Sequence, residues 1–182
     1  MIYVFLANGF EETEAVAPID ILRRCRLDVV TVGIGGDKIE SSHGITVITD
    51  TVDKNIVLDE NLQAIVLPGG KLGTENLEAS ETVQKAIDYC AANDRYIGAI
   101  CAAPSILGHK GILKGKKAIC YPGFEKELKG AEIVNEPAVL DGKIITSRGA
   151  GAAIEFGLKL AEVLASPEKS MAVAEGIIWV KG

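Results

Sequence analysis

Cys101 stands in "YIGAICAAPSIL" (Tyr96–Leu107), where an apolar, strand-like run meets small residues, a proline and a helix-like run. A thiol in this position admits two readings. Free cysteine is among the most buried residue types, so Cys101 can be a small core hydrophobe. Alternatively it is a nucleophile on a tight strand-to-helix turn, where unsatisfied N–H groups and the positive end of a helix favour the thiolate. The neighbours Ala99, Ala102 and Ala103 leave room for backbone to approach a ligand.

A nucleophile needs a proton carrier, and "GFEETE" (Gly9–Glu14) supplies carboxyls. The helix macrodipole alone accounts for acids at a helix start, and for Glu12 that account suffices. Glu11 and Glu14 are three residues apart, a spacing that predicts one shared helix face. A carboxyl turned into a dry crevice has its pKa raised, and as the acid it can donate a hydrogen bond to a thiolate or shuttle a proton. "LPGG" (Leu67–Gly70) is either a plain turn or a source of bare N–H groups for an oxyanion. "SRGAG" (Ser147–Gly151) ends a strand and opens a helix, so its N–H groups and Arg148 are candidates for receiving an anion. The glycine spacings match neither the dinucleotide fingerprint nor the phosphate loop, which argues against nucleotide binding.

The two histidines offer little to the thiol. His43 falls in a predicted hairpin, and His109 lies about 12 Å along a helix from Cys101, out of reach from the same helix. Both read as surface residues. Cys25, Cys90 and Cys120 form no CxxC pair and no Cys/His zinc pattern with Cys101. Cys120 ends "KKAIC", a predicted strand opening on the same crevice, so it either fills core or resolves an oxidised Cys101.

The elements that must position these groups alternate along the chain. "IYVFLA", "LDVVTVGIG", "GITVITDTV", "LQAIVLPGG", "YIGAI" and "KKAIC" read as strands. "ETEAVAPIDILRRC" reads as a helix with Ala15, Ile19, Leu22 and Val16 inward, and "ASETVQKAIDYCAAND" as one capped by Ser80. Asp141-Gly142 marks a hairpin. "AAIEFGLKLAEVLA" and "PEKSMAVAEGIIW" read as closing helices, the second with Pro167 near its start. Strand–helix alternation predicts a parallel sheet with helices on both faces and a site beyond its carboxyl edge. There "NGFEETE", "PGGKLG", "CAAPS" and "YPGF" should converge.

Across 182 residues, 48% are hydrophobic, 24% are charged and the net charge is −6. That suits one domain over 1–182, without the basic footprint of a nucleic-acid binder. No apolar run approaches a membrane span, and the N-terminal segment lacks the basic and small-residue marks of a secretory signal. A reducing, cytoplasmic setting is expected.

"NGFEETEAVAPIDILRR", "VLPGGKLGTENL", "AICAAPSIL" and "TSRGAG…EFGLKLAEVL" together resemble the DJ-one/ThiJ/PfpI superfamily, in its DJ-one-like branch. The resemblance runs in register over essentially the whole chain. It implies an α/β flavodoxin-like three-layer sandwich, with a mostly parallel central sheet and a nucleophile elbow, usually as a homodimer. By it Cys101 is the reactive cysteine, Glu14 its protonated hydrogen-bond partner, and Gly70 and Ala102 the backbone donors. Glu11 and Arg148 correspond to polar residues near the pocket or interface. Relatives are described as cofactor-independent glyoxalases, deglycases of methylglyoxal-modified protein or nucleotide, oxidative-stress proteins and chaperones. The implied substrate is thus a small aldehyde or glycated molecule, with no cofactor, while the cysteine spacing, hydropathy and charge lead to no expected metal, membrane or nucleic-acid partner.

Two departures bear on function. Tyr121 in "CYPG" stands where some relatives have histidine, which weakens a Cys-His peptidase. His43 in "SSHG" stands where relatives often have arginine. The expectations are, in order, a Cys-dependent small-carbonyl enzyme, a redox sensor or stress chaperone, and a non-catalytic binding subunit.

Overall fold

Strand β1 (Ile2–Leu6) alternates Ile2, Val4 and Leu6 with Tyr3 and Phe5, and all five are buried. A strand apolar on both faces must be covered on both, which is the condition of a central parallel strand. The computed structural model, which describes residues 1–180, meets that condition with two helical layers.

After β1 the order is α1 (Glu12–Arg24), β2 (Val29–Gly33), β3 (Lys38–Glu40), β4 (Thr46–Ile48), β5 (Thr51–Val52), β6 (Ala64–Leu67), α2 (Lys71–Ala79) and α3 (Glu81–Ala92). Then come β7 (Tyr96–Ile100), α4 (Pro104–His109), β8 (Lys117–Ala118), β9 (Glu132–Ile133), β10 (Ala138–Asp141), β11 (Ile144–Ser147), α5 (Ala153–Leu164) and α6 (Pro167–Gly176). The main sheet runs β10-β11-β7-β6-β1-β2-β5, parallel except for the β10–β11 hairpin. Ile2, Val4 and Leu6 pack with α1 and α5, while Tyr3 and Phe5 pack with α3 and α4. Close approach of α1 and α5 depends on Gly157, where a Cβ would lie 2.7 Å from Ile21 Cδ1.

From β1 the chain crosses to β2 on one side, and from β6 to β7 on the other. The switch point therefore lies between the loops that follow β1 and β6, where open α/β sheets form their sites. Backbone bonds tie those loops together, Glu11 N–H to Gly69 O at 3.0 Å and Gly73 N–H to Gly9 O at 3.1 Å.

Several predicted elements differ. "GITVITDTV" is two strands, broken at Asp50, whose carboxylate accepts from Thr31 N–H, Thr31 Oγ1 and Arg23 Nη2 at 2.7–2.8 Å. "KKAIC" contributes only β8, which pairs with β9 outside the main sheet. Its Ile119 N–H donates to the Thr146 hydroxyl on β11 at 3.0 Å, so a side chain replaces ladder pairing there. Helix α2 has no counterpart in the sequence reading. It contains Gly73, where a Cβ would lie 2.6 Å from Phe10 Cα, so close packing outweighs glycine's poor helix propensity. On α1, Pro18 and Ile21 take inward places with Ala15 and Leu22, Ile19 is half-buried, and Val16 is exposed. The Ser80 cap and Pro167 at its helix start stand as expected.

Candidate active site

Cys101 follows β7 directly and has φ +66°, a left-handed conformation that costs an L-residue about 1–2 kcal/mol. Two backbone bonds hold it there. Its N–H donates to Ser147 O on β11 at 2.9 Å, and its carbonyl accepts from Tyr121 N–H at 2.8 Å. The left-handed turn is the elbow, and it leaves the thiol half-buried while Cys25, Cys90 and Cys120 are buried. The N–H groups of Gly70, which caps α2 with φ +88°, and of Ala102 lie beside the sulfur and favour its anion.

Glu14 lies in the first turn of α1 and is 1% exposed. Its carboxyl meets the Cys101 thiol and accepts the Gly69 N–H at 3.0 Å, with the Ala150 N–H also drawing its pKa down. Two glycines make this closeness possible. A Cβ on Gly69 would overlap Glu14 Oε2 and lie 2.5 Å from Cys101 Cβ. A Cβ on Gly149 would stand 3.8 Å from Glu14 Oε1, 4.0 Å from Cys101 Sγ and 3.4 Å from Tyr121 Cδ2. The loops after β1, β6, β7 and β11, with the Tyr121 loop, thus meet at one point. Gly69, Gly149 and Ala150 lie in "LPGG" and "SRGAG", whose N–H groups the sequence offers to an anion. The anion that Gly69 and Ala150 face is the Glu14 carboxylate, and the need for no side chain at Gly69 was not foreseen.

Burial, reinforced by the Glu11 charge, pushes the Glu14 carboxyl up to about 7, against the pull of the thiol and of the Gly69 and Ala150 N–H groups. The Cys101 thiol is pushed up to about 12, first by burial, then by the Glu14 charge and its hydrogen bond. A thiol lowered by its turn was the expectation. With Glu14 ionised, burial and the neighbouring carboxylate outweigh the two N–H donors. The pair is best described as sharing one proton. When Glu14 carries it, the carboxylate's repulsion of the thiolate disappears, while the Gly70 and Ala102 N–H groups still favour the anion.

The remaining candidates lie around this pair. Glu11 does not share a helix face with Glu14. It is the α1 cap in extended conformation, its Oε2 accepting Glu14 N–H at 2.7 Å. Tyr121 is half-exposed, with its ring by Gly149 and edge-on to Phe124. Arg148 is exposed and forms no ion pair among the described residues. His43, in the β3–β4 turn, is exposed and bonds Glu12 Oε1 at 2.8 Å. Cys120 packs in the core on the α3–α4 side of the sheet, whereas Cys101 packs against the α1–α5 side. His109 is exposed as expected, yet both ring nitrogens bond carboxylates, those of Glu78 and Glu127.

Residues 1–163 match the DJ-1/PfpI family. The chain is similar to protein dj-1beta of Drosophila melanogaster, 36% identical over 178 residues that cover 96% of this chain and 95% of that protein. The crystal structure of that Drosophila protein superposes with a TM-score of 0.93 at 35% identity, over 99% of this chain and 98% of the other. A more distant relative, 29% identical over 96% of each chain, is the glutathione-independent glyoxalase DJ-1 of Schizosaccharomyces pombe.

Proposed function

This chain belongs to the DJ-1/PfpI family, and from that premise we propose that it is a cysteine-dependent small-carbonyl enzyme. The observation that carries this reading is the Cys101–Glu14 pair: a buried carboxyl with its pKa near 7, touching a thiol on an elbow. The glyoxalase name of the Schizosaccharomyces relative supports it.

The Cys101 sulfur adds to the aldehyde carbon of methylglyoxal or glyoxal, and the carbonyl oxygen takes up a proton to give a hemithioacetal. The Gly70 and Ala102 N–H groups stabilise the oxyanion formed on the way. Glu14 as carboxylate then removes the proton from the carbon bearing sulfur. It returns that proton to the adjacent carbon through an enediol, leaving a thioester. Water hydrolyses the thioester to a 2-hydroxy acid and regenerates the thiol. No net oxidation occurs, because one carbon is oxidised and its neighbour reduced. On a glycated amine or base the same steps constitute a deglycase.

Lactate production from methylglyoxal tests the proposal. Cys101→Ser should abolish it and Glu14→Gln should lower kcat by about 10²–10⁴-fold, the usual scale for a lost proton carrier. Wild-type protein that forms no lactate above background would overturn it.

A second reading rests on the thiol's exposure: Cys101 is half-buried, while the other three cysteines are buried. Peroxide converts such a thiolate to sulfenate and then sulfinate, releasing one water at each step. In this reading protonated Glu14 hydrogen-bonds the product. Mass spectrometry after mild peroxide should find two added oxygens at Cys101 alone, and equal oxidation of all four cysteines would remove the sensor. A homodimer is part of the same proposal. Exposed Val16 on α1 and Ile45 and Ile48 on the β3–β4 hairpin offer apolar surface for it. Sedimentation at micromolar concentration reads the assembly directly.

A further inference from the structure

At the opposite end of β7 from Cys101, a cavity of about 350 Å³ opens between the end of α3 and the β10–β11 hairpin. Its wall holds three cationic side chains, Arg95, Lys116 and Lys143, and one carboxylate, Asp94. With Asp141 beside Lys116 also counted, three positive charges against two negative leave the cleft at +1, on a chain whose net charge is −6. A smaller hollow of about 190 Å³ shares Asp94, Arg95 and Lys143, so these groups stand between two open spaces.

The cations are held by rigid backbone but are poorly neutralised. Arg95 N–H donates to Cys90 O, and Ile97 N–H to Lys143 O, both at 2.9 Å. Gly142, at φ +60°, turns the hairpin so that a Cβ there would lie 3.3 Å from Lys116 Nζ. Lys143 Nζ is 3.5 Å from Asp94 and 4.2 Å from the centre of the Tyr96 ring. Lys116 Nζ is 3.7 Å from Asp141. Both ion pairs exceed hydrogen-bond length, so both ammonium groups keep donors to spare. Arg95 spends one N–H on Glu60 O, at 3.1 Å. Like charges gathered around a cavity repel one another, and a multiply charged anion between them relieves that repulsion.

We propose that this cleft is a binding site for the phosphate group of a small phosphorylated metabolite, separate from the Cys101 site. A tetrahedral phosphate presents acceptor oxygens in three directions, and the donors here come from three segments: the α3–β7 loop, the stretch before β8 and the β10–β11 turn. A carboxylate presents only two oxygens in one plane. The cavity leaves space for a modest organic portion beside the phosphate. The site does not depend on the carbonyl chemistry, and it stands or falls separately.

Pyrophosphate, titrated into the full chain at constant ionic strength and followed by amide NMR, tests the proposal. Saturable shifts are expected at Arg95, Gly142 and Lys143, with the Cys101 loop unaffected. The double variant Lys116→Ala/Lys143→Ala should weaken binding at least tenfold. Both lysines are partly exposed, so the fold should survive, and retained dispersion of the other amides will confirm it. No saturable shift up to about 10 mM pyrophosphate, an affinity of only a few kcal/mol, would overturn the site. So would unchanged binding by the double variant. Citrate at equal charge binding as tightly as pyrophosphate would overturn the assignment to phosphate.

Discussion

The Cys101 N–H donates to the Ser147 carbonyl at 2.9 Å, binding the elbow after β7 to the last residue of β11. The bond holds Cys101 at φ +66°, a conformation that only glycine adopts without cost. Backbone strain is thereby kept at the one cysteine of the four that is not fully buried.

That strain can be read from stability. Cys101→Gly and Cys101→Ala both lack the thiol, and glycine alone relieves the positive φ. The glycine variant should be more stable than the alanine variant by about 1 kcal/mol, or roughly 2–4 °C in Tm for a chain of this size. Equal Tm values would show that the elbow is unstrained.

Glu14 should give stability a pH slope. Its folded pKa, about 7, lies above the ordinary 4.5, so between those values the folded chain holds this proton more tightly than the unfolded chain. The contribution is therefore present in full below pH 4.5 and is lost as pH rises through about 7, with a total of at most about 3 kcal/mol. Glu14→Gln cannot titrate and should lack this slope. Chemical denaturation of both proteins from pH 4 to 9 measures the difference.

His109 should act in a different window. Its two ring nitrogens bond Glu78 at the end of α2 and Glu127 in the short turn before Leu128, and two carboxylate partners require the doubly protonated ring. Hydrogen bonds to these carboxylates raise its pKa above 6.5. Its stabilising contribution is complete below pH 6.5 and disappears as pH climbs through the raised value. His109→Gln should therefore lower Tm at pH 6 and leave it nearly unchanged at pH 9.

Gly69 should tolerate no side chain. A Cβ there meets Glu14 Oε2, Cys101 Cβ and, at 2.9 Å, Ile100 O. Gly69→Ala should cost about 1–3 kcal/mol, the range for overpacking, and disrupt the Glu14–Cys101 contact. Gly151→Ala, with no atom within 4 Å of the added carbon, is the control. Urea unfolding and the methylglyoxal assay should distinguish the two variants clearly.

Much of the fold was legible because hydrophobic periodicity is a local property. β1, β2, β6 and β7 are apolar runs bounded by turn residues, and Ser80 and Pro167 mark helix starts by side chains a few positions away. What escaped was governed by partners distant in the chain. The break at Asp50 is made by Thr31 and Arg23, the diversion of "KKAIC" by Thr146, and the glycine in α2 by Phe10. Pattern reading assigns each segment its own best structure and does not register such competition.

The same division runs through the site. The sequence alone determined that a cysteine would end a central strand among small residues and that carboxyls would open the first helix. Those features depend only on residue type and order. Tertiary structure alone decided that Glu11 is the cap of α1 and turns away from the thiol, leaving Glu14, the partner that the family resemblance names, as the acid beside it. It also decided that Gly69, Gly149 and Ala150 frame the pair, and that the thiol's pKa is raised while the carboxylate is charged. The reason is electrostatic. A pKa is set by the burial and charges that surround a group in space, and these four segments become neighbours only when the sheet assembles.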